Sequence, residues 1–90
     1  METNATRLLR PKTVGERLGG IKRTALNGRV VAGLLTTPIA PNSRVNLWPE
    51  AEVERVAQAY AAGLDDTAIK ALVVRLHSAR ARAASALLAA

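Results

Sequence analysis

The sequence predicts a small, mainly α-helical domain of the winged helix-turn-helix type, with about four helices and a short β-hairpin wing. Two short helix-like segments are joined by Gly19-Gly20, and a stretch from Pro38 to Leu47 combines prolines with turn-forming residues. Farther along, apolar residues recur at the spacing of two amphipathic helices. Ninety residues suffice for one domain with a modest core, which disfavours any activity that needs a deep enclosed pocket.

The chain before the glycine pair predicts a strand followed by a helix. Residues 7–10 form a short extended segment that Pro11 stops, and this segment is able to add a strand edge to a later hairpin. Thr13 and Glu16 have the spacing of a capping box, in which two side chains satisfy orphan amides at a helix start. We therefore expect the first helix to begin at Thr13 and to end at Gly19-Gly20.

A second helix and a ribbon follow the glycine pair. The helix is predicted from about Lys22 to Ala32, and its expected inward anchors are Ile21, Ala25, Leu26 and Val30. Prolines cannot donate to a ladder, so the stretch from Pro38 to Leu47 predicts a short two-stranded ribbon with an edge, turning at residues 41–44. Trp48-Pro49-Glu50 then opens a third helix, and we expect Trp48 to be a core anchor that fixes the wing onto that helix.

The second half of the chain predicts two amphipathic helices. Their apolar stripes are Val53, Val56, Ala57, Tyr60 and Leu64 in the third, and Ile69, Leu72, Val73 and Leu76 in the fourth. The Ala-rich sequence beyond His77 is helical by propensity but has few bulky side chains to bury. We divide the chain into a winged domain at residues 1–64 and a C-terminal helix at residues 65–90. That helix packs on the domain, mediates oligomerisation, or does both.

Positive charge is concentrated in the first half of the chain. Residues 1–47 carry eight Lys/Arg and two Glu, whereas residues 48–90 carry five of each sign, so the net charge of +6 belongs to the first half. Each Lys or Arg that neutralises a phosphate releases a condensed counterion. A concentrated basic face on a helix-turn-helix-like unit therefore predicts double-stranded DNA as the leading partner.

Composition disfavours several other classes of function. The chain contains no cysteine, which removes disulfides, thiolate catalysis and sulfur-ligated zinc, and His77 has no second histidine with which to share a metal. Trp48 and Tyr60 are the only aromatics, too few for a platform that stacks single-stranded bases. No Ser-His-acid set and no phosphate-binding glycine motif is present. We expect no enzymatic activity, no metal site and no cofactor.

The same sequence predicts a cytoplasmic protein. No apolar run approaches the roughly 20 residues that span a bilayer. The opening METNATRLLRPK is too polar for a signal peptide. We therefore expect a cytoplasmic location and no membrane partner.

Polar side chains of the second helix and the wing are the candidates for DNA contact. Arg suits guanine, Asn suits adenine, and Thr suits a base edge or a phosphate. The candidate base contacts on the second helix are Arg23, Thr24, Asn27 and Arg29. The candidate phosphate contacts at helix ends near the turn are Arg17 and Lys22. The candidate wing contacts to the minor groove or adjacent phosphates are Asn42, Ser43 and Arg44. A charged face or turn is often only solvated, and that interpretation stays open for each.

Two features of the basic half have more than one explanation. Arg7, Arg10 and Lys12 form either a basic arm or solubilising charge. Gly28 lies in the middle of the second helix, where glycine costs about 0.5–1 kcal/mol relative to alanine. Either a neighbour packs closely against Gly28, or the backbone must come near DNA, or the fold simply tolerates the cost.

The order of these segments resembles the AlpA family of small phage and prophage regulators, relatives of the excisionases and of the MerR-type winged helix. The likeness covers residues 7–64 and consists of LLRPKTVGERLG, the basic second helix IKRTALNGRVVAG, the wing PIAPNSRV and the junction VNLWPEAEVERV. Its most specific part is Trp48 followed by Glu52-Val53. The resemblance implies a DNA-binding regulator or excision factor, with the second helix in the major groove and the hairpin as a wing.

Two classes of function follow from the sequence. The leading one is a sequence-specific DNA-binding protein, either a phage-type transcriptional regulator or a recombination directionality factor that bends DNA beside an integrase. The rival class is a small phage assembly, packaging or protein-interaction module that uses its C-terminal helix. It is motivated by Leu87 and Leu88, which extend the apolar stripe past what a small core needs. The Ala-rich end is then expected to be exposed or to pair with another subunit.

Overall fold

A computed structural model describes residues 7–40 and 44–89 of the chain. The elements in chain order are β1 (Leu8–Leu9), α1 (Pro11–Arg17), α2 (Arg23–Val31), β2 (Trp48–Pro49), α3 (Glu50–Ala61) and α4 (Asp66–Ala89). The predicted fold class, a small and mainly helical winged-helix-like domain, is confirmed. The second helix lies within one residue of its predicted bounds.

The start of α1 differs from the prediction. The helix begins at Pro11 with Arg10 as its N-cap, and no side chain caps it. Thr13 and Glu16 therefore lie inside the helix, and the capping-box prediction is wrong. The physical reason is Pro11, because proline at the first helical position has no N–H group to satisfy and a φ already suited to a helix.

A close approach at Gly15 fixes the turn between α1 and α2. Gly19 and Gly20 have φ values of 98° and 80° and end α1 as predicted. The carbonyl oxygen of Gly15 accepts hydrogen bonds from the amides of Gly20 at 2.8 Å and Ile21 at 3.1 Å. A Cβ atom on residue 15 would lie 2.3 Å from the carbonyl oxygen of Ile21, so only glycine allows the chain to fold back this tightly.

The sheet pairs the N-terminal segment of the chain with the residues that directly follow the wing. β1 pairs antiparallel with β2, with Leu9 opposite Trp48, so the extended segment at residues 7–10 adds a strand as expected. Among the described residues, the predicted ribbon consists of one bridge, in which Ile39 and Leu47 exchange hydrogen bonds of 2.7 and 2.8 Å. The next hydrogen-bonded pair in that register would include Pro49, which has no N–H to donate. The predicted turn residues 41–43 lie outside the described residues.

Trp48 is the centre of the core, as predicted. Its side chain is 1% exposed, and its indole N–H donates a 2.8 Å hydrogen bond to the carbonyl oxygen of Thr36. The other buried apolar residues are Leu9, Val14, Leu18, Leu26, Leu35, Val53, Val56, Ala59, Ile69 and Val73. Ala25 is exposed, so its predicted role as an inward anchor of α2 is wrong, and Leu26 provides the buried contact.

Two ion-pair clusters connect α3 to other helices. Arg17 at the end of α1 donates to Glu50 at 2.9 Å and to Glu54 at 2.6 Å. Arg80 of α4 donates from Nε to Glu52 at 3.0 Å and from Nη2 to the Thr37 carbonyl oxygen at 2.9 Å. The acids of the first turn of α3 therefore do more than favour the helix dipole, because each also holds a neighbouring element.

The second half of α4 extends beyond the core. Ile69 and Val73 are buried, whereas every residue of the C-terminal tail (residues 81–89) is exposed. Leu87 is 78% exposed and Leu88 is 89% exposed. Neither α4 nor any other helix in the described ranges is long and apolar enough to cross a membrane.

Alanine substitution of two helical glycines is expected to have opposite effects. Gly15→Ala should lower the free energy of unfolding by about 1–3 kcal/mol, because the new methyl group overlaps the carbonyl of Ile21. Gly28→Ala should raise it by about 0.5–1 kcal/mol, because nothing lies within 4 Å of the new methyl group. Urea unfolding followed by circular dichroism measures both. Equal shifts in the same direction would show that the turn is not fixed at Gly15.

Removal of Arg80 is expected to destabilise the domain. Arg80→Ala leaves Glu52, which is 8% exposed, without its cation and should lower the free energy of unfolding by about 2 kcal/mol. Arg82→Ala, at an exposed position two residues along, is the control and should change it by less than about 0.5 kcal/mol. Glu52→Gln added to Arg80→Ala should recover part of the loss. Identical unfolding midpoints for the two alanine variants would contradict a stabilising ion pair.

Candidate nucleic-acid interface

One face of α2 points away from the core. Leu26 is buried, and residues on the opposite side of the helix recur at i, i+3, i+4 and i+7. This outward face consists of Thr24, Asn27, Gly28 and Val31, all exposed. Val31 is 88% exposed. The face therefore offers a hydroxyl, an amide, bare backbone and a small apolar group along one line.

The first turn of α2 is strongly basic. Lys22 is its N-cap and Arg23 its first residue, no side chain caps it, and its first turn has no acid. The first turn of α3 has the opposite pattern, with Glu50 and Glu52. Cations at the positive end of a helix dipole cost roughly 0.3–1 kcal/mol each. The start of α2 is thus less stable than it would be with acidic residues. The positive electrostatic potential at this end of the helix favours binding of an anion.

A basic cleft of about 260 Å³ lies beside this turn. Its described lining residues are Arg10 and Pro11 at the start of α1, Arg23 and Asn27 on α2, and Arg44, Val45, Asn46 and Trp48 after the wing. The cleft therefore brings together Arg23, Asn27 and Arg44, three of the candidates from the sequence. No described residue that lines it is a carboxylate.

Two polar residues of the basic cleft, Arg10 and Asn46, are not among the DNA contacts that the sequence predicts. The sequence leaves Arg10 as either part of a basic arm or solubilising charge. The signal for Asn46 is alternation along an extended segment. Arg44 and Asn46 are exposed, whereas Val45 and Leu47 between and after them are half-buried. Such alternation puts Arg44 and Asn46 on one face.

Arg17 and Arg29 are engaged elsewhere. Hydrogen bonding to Glu50, reinforced by the charges of Glu50 and Glu54, raises the pKa of Arg17 above its ordinary value. The Arg29 guanidinium stacks 4.7 Å from the centroid of the Tyr60 ring, on the side of α2 that faces α3. Neither side chain lines the basic cleft. Both have a structural explanation that the sequence did not reveal.

The remaining candidates are exposed or lie outside the described residues. Lys22 and Thr24 are exposed at the start of α2. Asn42 and Ser43 belong to residues 41–43, whose placement is not described. Their predicted contacts from the wing stay predictions.

A larger groove lies between α3 and α4. It measures about 430 Å³, is open to solvent, and has an apolar floor that includes Leu64 and Leu72, with Arg55 and Arg75 beside it. None of its described lining residues belongs to α1, α2 or the wing. In the described ranges, no three His, Asp or Glu side chains are grouped as a metal ion would require.

Comparison with known proteins gives no assignment. No family model matches the chain, and neither curated proteins nor solved structures contain a significant match. The resemblance to the AlpA family accordingly stays a prediction from the residues quoted above. Function must be inferred from the outward face of α2 and the basic cleft.

Proposed function

We propose that this protein binds double-stranded DNA in a sequence-specific manner, with α2 in the major groove and the wing against the adjacent groove or backbone. The observation that carries the proposal is the outward face of α2, whose exposed polar groups adjoin a cleft lined by arginines from three parts of the chain. A major groove accommodates one α-helix. The net charge of +6 supplies the long-range attraction.

The outward face carries chemistry suited to base edges. The Asn27 amide can bond both N6 and N7 of adenine, the Thr24 hydroxyl can bond a base or a phosphate, and the Val31 methyl groups can contact a thymine methyl. Gly28 lies between them, and a Cβ atom added to it would meet nothing within 4 Å. That space removes close packing as the explanation for Gly28 and leaves backbone approach to DNA or simple tolerance.

The wing is held close to α2. The Ile39–Leu47 bridge closes the loop at its base, and Arg44 and Asn46 follow the loop on the wall of the basic cleft opposite α2. A duplex seated on α2 would therefore meet the wing at its next groove or phosphate. A transcriptional regulator and a recombination directionality factor use this same surface, and the latter would also contact an integrase. Either role is exercised in the cytoplasm, where we infer that the protein acts.

Selection of bound duplexes from a random-sequence pool at two salt concentrations tests the proposal. We expect an enriched motif that survives the higher salt, with a half-site spacing that reports the oligomeric state. Asn27→Ala should then lose about 1–3 kcal/mol of preference at one A·T pair of that motif. Gln58→Ala removes an exposed amide from α3 and is the matched control.

Three results would count against specific recognition. The first is unselective binding that collapses at the higher salt, because it would mean phosphate affinity alone. The second is an Asn27→Ala variant that loses affinity equally for all sequences. The third is a Gln58→Ala variant that loses as much preference for the motif as Asn27→Ala does, because the loss would then not depend on α2.

A second function is favoured by one observation, the exposed C-terminal tail. Leu87 and Leu88 are the most exposed residues of α4 with large apolar side chains. Leu87 lies about five helical turns after Ile69 on the same face, and Leu88 is its neighbour about 100° round the helix. Exposed leucines near each other suit a protein contact. We propose that the tail joins two copies of the chain or docks on a protein partner such as an integrase or a phage assembly component.

Removal of residues 83–90 tests the tail. This truncation keeps Arg80 and its bonds to Glu52 and Thr37, so the domain should unfold at an unchanged denaturant concentration. Sedimentation velocity should show a shift from a self-associated species to a monomer. The double substitution Leu87→Ser and Leu88→Ser should have the same effect without shortening the helix. Unchanged sedimentation of both variants would rule out a dimer driven by the tail.

A further inference from the structure

We propose that the basic cleft is a phosphate-binding site that holds one backbone phosphate of the bound duplex. This inference rests on the proposed DNA binding for the source of the phosphate, although the chemistry that it names is that of any phosphate oxyanion. It assigns Arg10 and Asn46 a function and reassigns Arg23 from guanine to phosphate. Base recognition is then left to the remainder of the outward face of α2.

The donors of the cleft match a phosphate group. Each arginine presents five N–H donors in a planar fork that can bond two phosphate oxygens at once. Arg10, Arg23 and Arg44 contribute such forks from α1, α2 and the segment after the wing. Asn46 adds an amide donor. Side chains from three separate elements therefore line one small space with groups suited to an oxyanion.

Two arginines of the cleft have no carboxylate partner among the described residues. Arg10 and Arg23 form no ion pair with any carboxylate in the described ranges, and no described acid lines the cleft. Arg17 and Arg80, by contrast, are neutralised by glutamates of α3. Like charges brought together cost energy unless an anion neutralises them. Arg10 and Arg23 thus have the arrangement of ligand-binding groups rather than of groups that hold the fold.

Size and surroundings favour a small anion. A drug-sized organic ligand occupies roughly 300–1,000 Å³, and this cleft of about 260 Å³ falls below that range. Pro11 and Trp48 also line the cleft, but Trp48 is only 1% exposed, so the accessible surface of the cleft is mainly that of its polar side chains.

A phosphate in this site would couple α2 to the wing. Arg23 belongs to α2, whereas Arg44 and Asn46 belong to the segment that follows the wing. Phosphate contacts fix the register of a protein on a duplex and carry no sequence information themselves. Arg10 is therefore a positioning residue, whose loss should weaken binding to all duplexes by the same factor.

Neutralisation of single phosphates tests the proposal. Duplexes that carry the selected motif and one neutral methylphosphonate at each successive backbone position are titrated with the wild-type chain, Arg10→Gln and Lys12→Gln. Lys12→Gln removes the same charge from an exposed side chain that does not line the cleft. We expect one position at which neutralisation weakens wild-type and Lys12→Gln binding about tenfold and weakens Arg10→Gln binding by a clearly smaller factor, because only Arg23 and Arg44 then contact that phosphate. Arg10 is exposed, so this variant should unfold at the wild-type denaturant concentration.

The outcomes separate this proposal from DNA binding itself. The phosphate site is overturned if the wild-type chain binds the motif but every neutralised position weakens wild-type and Arg10→Gln binding by the same factor. It is also overturned if Lys12→Gln reduces the effect of neutralisation as much as Arg10→Gln does. In both cases the proposed function stands. If the wild-type chain binds no duplex, the proposed function fails and so does a backbone phosphate as the ligand. Titration with inorganic phosphate, followed by the fluorescence of Trp48, then decides whether free phosphate is the source. A saturable change that Arg10→Gln abolishes would retain the anion site, and its absence would overturn it.

Discussion

The burial of Trp48 is the constraint on which the rest of the structure depends. Its ring fills the centre of the core, and its indole N–H is satisfied by the carbonyl oxygen of Thr36. The same residue pairs with Leu9 in the sheet and is followed closely by α3. One residue thus joins the N-terminal strand, the base of the wing and the core. Trp48 also contributes to a wall of the basic cleft, so the position of the arginines depends on the packing of the core.

Ion pairing divides the arginines into two groups. Glu50, Glu52 and Glu54 all lie in α3, and their partners are Arg17 and Arg80. The second half of the chain is electrically balanced, yet three of its five acids are taken up in contacts between helices. These acids hold α1 and α4 in place and are not available to the arginines around α2. Segregation of charge along the sequence therefore becomes segregation of charge in space, with structural pairs on α3 and a basic surface at the start of α2.

Sequence patterns predicted what is local and periodic, and failed where two distant segments meet. The bounds of α2, the buried stripe of α4 and the role of Trp48 followed from apolar spacing and from the size of one side chain. The capping box failed because Pro11 offered a better helix start two residues earlier. The engagement of Arg17 joins residues 33 and 37 positions apart, which no local pattern reports. The need for glycine at position 15 also depends on a contact in space, because a Cβ atom there would overlap the carbonyl oxygen of Ile21 across the turn.

The outward face of α2 is separate from what holds α2 in place. Nine residues are too few for a stable isolated helix, and Thr24, Asn27 and Gly28 are poor helix formers. The helix therefore depends on the burial of Leu26 and on the tight turn that precedes it. The residues of the outward face are exposed and contribute little to the core, so substitutions there should cost the fold little. Their poor helix propensity is therefore a cost that the burial of Leu26 and the turn at Gly15 must offset.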